Sequence, residues 1–205
     1  MPLQNRVTPD GTIIATPARG LFMGNRGGRI HDPATRTLTS RRFASRRWIC
    51  CETAFKGRHR TVMGAGYTEL FFLDEPTALS AGHRPCFECR RAAANAFARY
   101  WQQAHGLGAP PDADTMDRQL HAERLGARPE AALDLLPDGA AVLVKEDAAQ
   151  RPAFVRGDCL LVWQAEGYGQ KLARPRGIAL PLLTPPSIVA VLDAGYLPHW
   201  HPSAG

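Results

Sequence analysis

At 205 residues with 44% hydrophobic side chains, the chain is long enough to bury a core as one large domain or two smaller ones. No run approaches the roughly 20 apolar residues of a membrane-spanning helix, and the N-terminus has no apolar signal segment, so a cytoplasmic protein without a membrane anchor is expected. The net charge of +6 is unevenly placed: residues 1–60 hold 12 Lys/Arg against Asp10, Asp32 and Glu52, while residues 106–205 hold 9 against 12 acidic side chains. Most of the basic excess is arginine, whose planar fork matches phosphate oxygens and stacks on bases. A nucleic acid or other polyanion is therefore the expected partner, against the plainer alternative of a solvated basic surface.

In chain order, Val7-Thr8, a turn at Pro9-Asp10-Gly11 and Thr12–Ala15 predict a short hairpin. Gly24-Asn25-Arg26-Gly27-Gly28-Arg29 reads as a glycine turn; its N–H groups and arginines suit a phosphate, but no Walker or dinucleotide pattern matches. Between Arg36 and Arg60, cations alternate with Phe43, Trp48 and Phe55. Cations for a phosphate backbone and aromatics for stacking make Arg41, Arg42, Arg46, Arg47, Lys56, Arg58 and Arg60 the candidate nucleic-acid contacts. Trp48-Ile49-Cys50-Cys51 and Tyr67–Leu73 read as strands. Asp74-Glu75-Pro76-Thr77 opens a short helix with acidic residues and Pro in its first turn, and Gly82 closes it.

Cys86-Phe87-Glu88-Cys89 then forms a knuckle in which two thiolates three positions apart can face one metal ion. Cys50-Cys51 is a second cluster, and five clustered cysteines suit a reducing compartment and a metal site better than a disulfide framework. From Cys89 to His105 an alanine-rich helix carries Phe97, Tyr100, Trp101 and Ala104 on one stripe. Gly106–Asp114 is a linker, Thr115–Leu125 a polar helix and Glu130–Leu136 a second short helix. Ala141–Val144, Ala153–Val155, Cys159–Trp163 and Ile178–Leu183 read as strands of a small meander. Pro185-Pro186-Ser187 starts a last helix that ends near Gly195.

The run Thr68–Cys89, with its strand, its short helix ending in Ala81-Gly82-His83, and Arg84-Pro85-Cys86-Phe87-Glu88-Cys89, resembles the Ada-type zinc-binding domain of bacterial DNA alkylation-repair proteins. Trp48-Ile49-Cys50 resembles the strand bearing that family's first cysteine, so the likeness covers about residues 47–91. It implies a zinc held by Cys50, Cys51, Cys86 and Cys89, a DNA partner and a role in DNA repair, with Cys50 at the place of the family's phosphotriester methyl acceptor. The family spaces its first pair Cys-x-x-x-Cys, whereas here the thiols are adjacent and position 54 is Ala. Neighbouring side chains on a strand point to opposite faces. Either the chain bulges there, or one thiol binds and another ligand comes from His31, His59, His83 or His121.

The expected fold is α+β: an Ada-like zinc-binding α/β unit with N-terminal strands over residues 1–108, then a helical link and a small β-rich unit over 109–205. The leading expectation is a zinc-binding, DNA-binding protein of repair or DNA processing. The alternatives are an enzyme acting on nucleic acid (a nuclease, a lyase attacking through the Pro2 amine, or a methyl acceptor) and a zinc-stabilised protein-interaction module. Nuclease candidates are His31-Asp32 and His199-Trp200-His201. The deaminase strings His121-Ala122-Glu123 and Pro85–Cys89 also occur, in reversed order.

Overall fold

The computed structural model describes residues 1–59, 61–146 and 149–205, and its architecture is α+β. The N-terminal half holds β1 (Gln4–Val7), β2 (Ile13–Ala15), β3 (Phe22–Arg26), β4 (His31–Asp32), β5 (Thr37–Leu38), β6 (Trp48–Glu52) and β7 (Leu70–Phe72), then helix α1 (Glu75–Ser80) and β8 (Arg84–Pro85). Helices α2 (Arg91–Ala104) and α3 (Ala113–Leu125) follow. The C-terminal half carries β9 (Glu130–Ala132), β10 (Ala141–Glu146), β11 (Ala149–Arg156), β12 (Cys159–Gln164), β13 (Gly167–Ala173), β14 (Ala179–Pro181) and helix α4 (Pro186–Asp193). No helix among the described residues is long and apolar enough to cross a membrane.

The main sheet runs β2-β1-β7-β3-β6-β8, with β3 antiparallel to both its neighbours and β8 added parallel to β6 at the edge. Phe22–Arg26 is a strand, where the sequence reads a glycine turn from Gly24 onward. The reason is close packing: a Cβ at Gly24 would stand 2.0 Å from the Ile49 carbonyl oxygen, so the missing side chain is what lets β6 lie alongside. The turn is deferred to Gly27 and Gly28, both at positive φ.

Helix α1 starts where Asp74 accepts the Thr77 N–H at 3.0 Å, with Pro76 in its first turn, and all six of its residues are buried. Along α2, Ala94, Phe97, Ala98 and Trp101 are buried at helical spacing. Phe97 and Trp101 pack with Met116 and Leu120 of α3 and with Ile188 and Val191 of α4 in one apolar cluster. That cluster draws on chain from both sides of residue 108.

The Glu130–Leu136 segment is not a helix. It is strand β9 followed by a single 3-10 turn over Leu133–Leu135. Pro129 and Pro137 bracket only seven residues, too few to nucleate a stable α-helix, and antiparallel pairing with β14 satisfies the backbone instead. The C-terminal meander is β10-β11-β12-β13. Its last strand, rich in Gly, Gln and Lys, carries little local strand signal and is held by pairing with β12 through Leu160–Leu172.

Candidate metal centre

The parallel register of β6 and β8 creates the site. Ile49 pairs with Arg84 and Cys50 with Pro85, so the next step along both strands brings Cys51 level with Cys86. The chain turns at once through Phe87–Cys89 and returns Cys89 to the same point. The sulfurs of Cys51, Cys86 and Cys89 lie within 4.8 Å of one another, and among the described residues they form the one cluster able to hold a metal ion. Tetrahedral zinc–thiolate geometry needs sulfurs about 3.8 Å apart, a small contraction from this arrangement.

Backbone groups already point at the sulfurs. The Glu88 N–H donates to Cys86 Sγ and the Glu52 N–H to Cys89 Sγ, each at 3.4 Å. Hydrogen bonds from the Cys51 and Cys89 thiols, with the turn N–H groups, hold Cys86 far below the ordinary thiol range. Cys51 is pushed up, chiefly because its S–H is engaged by Cys86 and Cys89 and also by burial. Cys89 is raised as well, with the bond from Cys51 acting the other way and the Cys86 contact and burial pushing it up. One thiolate shared by two thiols is the charge pattern of a metal-free thiolate cradle. The donor set and its N–H···S support fit a thiophilic divalent metal.

Cys50 lies outside this cradle. It is fully buried in the apolar cluster of Val7, Phe22, Leu70 and Phe72. Its sulfur receives Arg90 Nη1 at 3.4 Å, and burial raises its thiol well above the usual value. Strand alternation explains the separation: with no bulge between them, Cys50 and Cys51 face opposite sides of β6. The fourth ligand expected from Cys50 is therefore absent from the cluster, and so is the position matched to a methyl acceptor. Of the histidines considered, His31 is buried and held by Thr68 and the Gly64 carbonyl. His83 lies between Trp48 and Phe72, and His121 packs edge-on against Phe43. His59 is exposed beside Arg58.

A second layer fixes the knuckle. Arg90, directly after Cys89, forms a two-pronged ion pair with buried Glu75 at 2.9 and 2.8 Å. Glu75 also accepts the Tyr196 hydroxyl at 2.6 Å and the His199 N–H at 2.9 Å. At the entry to the knuckle, Arg84 makes a two-pronged pair with fully buried Asp117 of α3 at 3.0 and 2.8 Å. Neither carboxylate has a local sequence signal, because each partner is distant in the chain.

The cradle opens on a cavity of about 210 Å³ whose wall includes Phe55, Tyr67, Phe71, Glu69, Glu88 and Arg58. It shares Asn25, Ile49, Tyr67, Cys86 and Glu88 with a wider depression bounded by Gly27, Gly28 and Arg47. That depression shares Gly27, Arg47 and Asp114 with a third, which reaches Arg46 and His121. A groove thus leads from the thiols to the Arg46–Arg47 corner. Arg46 pairs with Asp114 and Arg58 with Glu88, each at 2.8 Å, and all four side chains are substantially exposed. Such surface pairs contribute at most about 1 kcal/mol and exchange readily for another anion. Lys56 lies over the Phe55 ring and Arg41 is exposed, whereas Arg42 borders a different cavity; Arg60 is outside the described residues.

The other sequence candidates are not gathered into a catalytic group. Glu123 is taken up by Ser187 rather than by the thiols. His199 meets Phe22 edge-on, and His201 bonds Ser203. Compared with protein-family models, with curated proteins and with solved structures, the chain matches none.

Proposed function

We propose that this is a zinc-binding, DNA-binding protein of DNA repair or DNA processing, with Ada-like organisation around the knuckle. The observation that carries the reading is the position of the Cys51–Cys86–Cys89 cradle within a groove that has Arg46 and Arg47 at one end and Arg58 at the other. Zinc suits three thiolates and supplies either a structural staple or a Lewis acid. The rim cations would take phosphates, while Tyr67, Phe55 and the acidic, aromatic wall of the inner cavity would receive a base rather than a phosphate.

A second reading, an enzyme acting on nucleic acid, draws on the donor count. Closed structural zinc sites carry four protein ligands, and three sulfurs leave one position for water or substrate. Methyl transfer to Cys50 has no such support, because that thiol is buried away from the groove.

The test is binding of single- and double-stranded DNA to the zinc-loaded chain across a salt series. Affinity should fall steeply with salt, and Arg46→Ala with Arg47→Ala should lower the log–log slope by about 0.7–0.9 for each phosphate left without its cation. Salt-independent binding, no binding, or an unchanged slope in the double variant would refute the proposed DNA contact.

A further inference from the structure

Five buried side-chain nitrogens among the described residues have no hydrogen-bonding partner: Arg26 Nε, Arg124 Nη2, both ring nitrogens of His83, and His121 Nδ1. They cluster in space. The guanidinium carbons of Arg26 and Arg124 sit 4.0 and 4.5 Å from the Trp48 ring centroid, and His83 lies 5.0 Å from it. His121 packs on Phe43, which itself packs on Trp48. Native interiors leave few such groups unsatisfied, so four around one indole, with a fifth one ring further out, call for a physical cause.

Charge makes the anomaly sharper. Arg26 is 3% exposed and has no carboxylate partner; its bonds go to the Gly11 carbonyl at 2.7 Å and the Arg42 carbonyl at 3.5 Å. Arg124 likewise bonds only carbonyls, those of Gly82 at 3.1 Å and Arg46 at 3.0 Å. Burial, and then the repulsion of Arg124 and Arg42, pulls Arg26 down to about 9. Burial also pulls Arg124 down to about 10. Guanidinium groups do not deprotonate in proteins, so these shifts report two desolvated cations whose charge is only partly offset, by Asp10 at Arg26 and by Asp117 and Glu123 at Arg124, with no ion pair to either. Water can fill a hydrogen bond, but it does not neutralise that charge.

Beside them lies a cavity of about 230 Å³, lined by Arg42, Trp48, Arg124 and Arg128 together with Asp10 and Glu123. The negative charge of the two carboxylates offsets part of the positive potential, but their close hydrogen bonds go to uncharged donors and neither forms an ion pair with these arginines. Asp10 accepts from Thr8 and from the N–H and hydroxyl of Thr12, and Glu123 accepts from Ser187 and Gln119. Asp117, behind Arg124, is taken by Arg84. Arg128 bonds the Asp10 carbonyl and not its carboxylate. Gly11 separates the cavity from Arg26: a Cβ there would come within 3.6 Å of Arg26 Nη2.

We propose that this cavity is a binding site for a phosphate-type oxyanion, held by Arg42, Arg124 and Arg128, which places negative charge against Arg124 at the open end of the Arg26–Trp48–Arg124 stack. The anion can be free or the terminal phosphate of a nucleic acid. The site is separate from the thiol groove and stands whether or not the zinc reading holds.

The test compares inorganic phosphate, sulfate and chloride at equal ionic strength on the full chain, by thermal unfolding and titration calorimetry. Phosphate at a hundredfold excess over its Kd should raise the Tm by about 5–10 °C. Arg42→Gln, an exposed position that leaves the fold unchanged by circular dichroism, should weaken phosphate about tenfold, and Arg124→Gln by more. A short oligonucleotide with a 5′-phosphate that displaces inorganic phosphate, where its unphosphorylated twin does not, assigns the anion to nucleic-acid ends. Displacement by neither assigns it to a free anion. Equal stabilisation by chloride, or equal stabilisation of wild type and Arg42→Gln by phosphate, overturns the site.

Discussion

Glu75→Ala is the perturbation that most directly probes how the knuckle is held. Glu75 is 1% exposed and accepts four bonds, two from Arg90 and one each from Tyr196 and His199. Removing it leaves the Arg90 guanidinium buried, with Glu52 at 3.3 Å as its remaining carboxylate, and Glu52 is 42% exposed and screened by solvent. Breaking a buried ion pair on one side costs about 3–5 kcal/mol. With a urea m-value of about 2 kcal/mol/M, the unfolding midpoint should fall by about 1.5–2.5 M at constant m. Glu75→Gln keeps the volume and some hydrogen bonding, so it should lose about 2–3 kcal/mol. Replacing both partners, Glu75→Leu with Arg90→Met, should recover most of the loss because no unpaired charge remains. The assay is urea unfolding followed by circular dichroism on metal-loaded protein. A midpoint change below about 0.5 M for Glu75→Ala, or a double variant no better than the single, would refute this account of the ion pair.

Two further outcomes follow from the local geometry. Gly24→Ala should destabilise the chain by about 3 kcal/mol or more, since its Cβ meets the Ile49 carbonyl oxygen at 2.0 Å; a midpoint within experimental error of wild type would remove the close-approach explanation of β3. In the metal-free cradle Cys86 is the low-pKa thiol, whereas Cys51 and Cys89 are raised and stay protonated near neutrality. Zinc binding should therefore release about two protons, and its affinity should fall about a hundredfold for each pH unit lowered. Calorimetry in buffers of different ionisation enthalpy measures this count, and a value near zero would contradict the assigned protonation.

Much of the fold is readable locally. Asp74 and Pro76 mark the start of α1, the Phe97/Trp101 stripe marks the buried face of α2, and Pro186 marks the start of α4. Elements whose cause is a partner strand are not readable in this way. β3 looks like a glycine turn until β6 and β7 flank it, and β13 and β9 are strands because β12 and β14 pair with them. The site divides similarly. The Cys86/Cys89 spacing announces a metal cradle, and strand alternation says that only one of Cys50 and Cys51 can share its face. The choice of Cys51 comes from the parallel register of β6 with β8, which joins residues 35 apart and has no local signature. The orphaned nitrogens around Trp48 come from well-separated stretches of chain, so no motif could signal them.

The most direct test of the metal centre is zinc content in single Cys→Ser variants of the purified chain. One zinc per chain is expected for wild type and for Cys50→Ser, with loss or strong weakening for Cys51→Ser, Cys86→Ser and Cys89→Ser. No metal in the wild type, or a loss in Cys50→Ser as large as that in Cys51→Ser, would contradict a centre built from Cys51, Cys86 and Cys89.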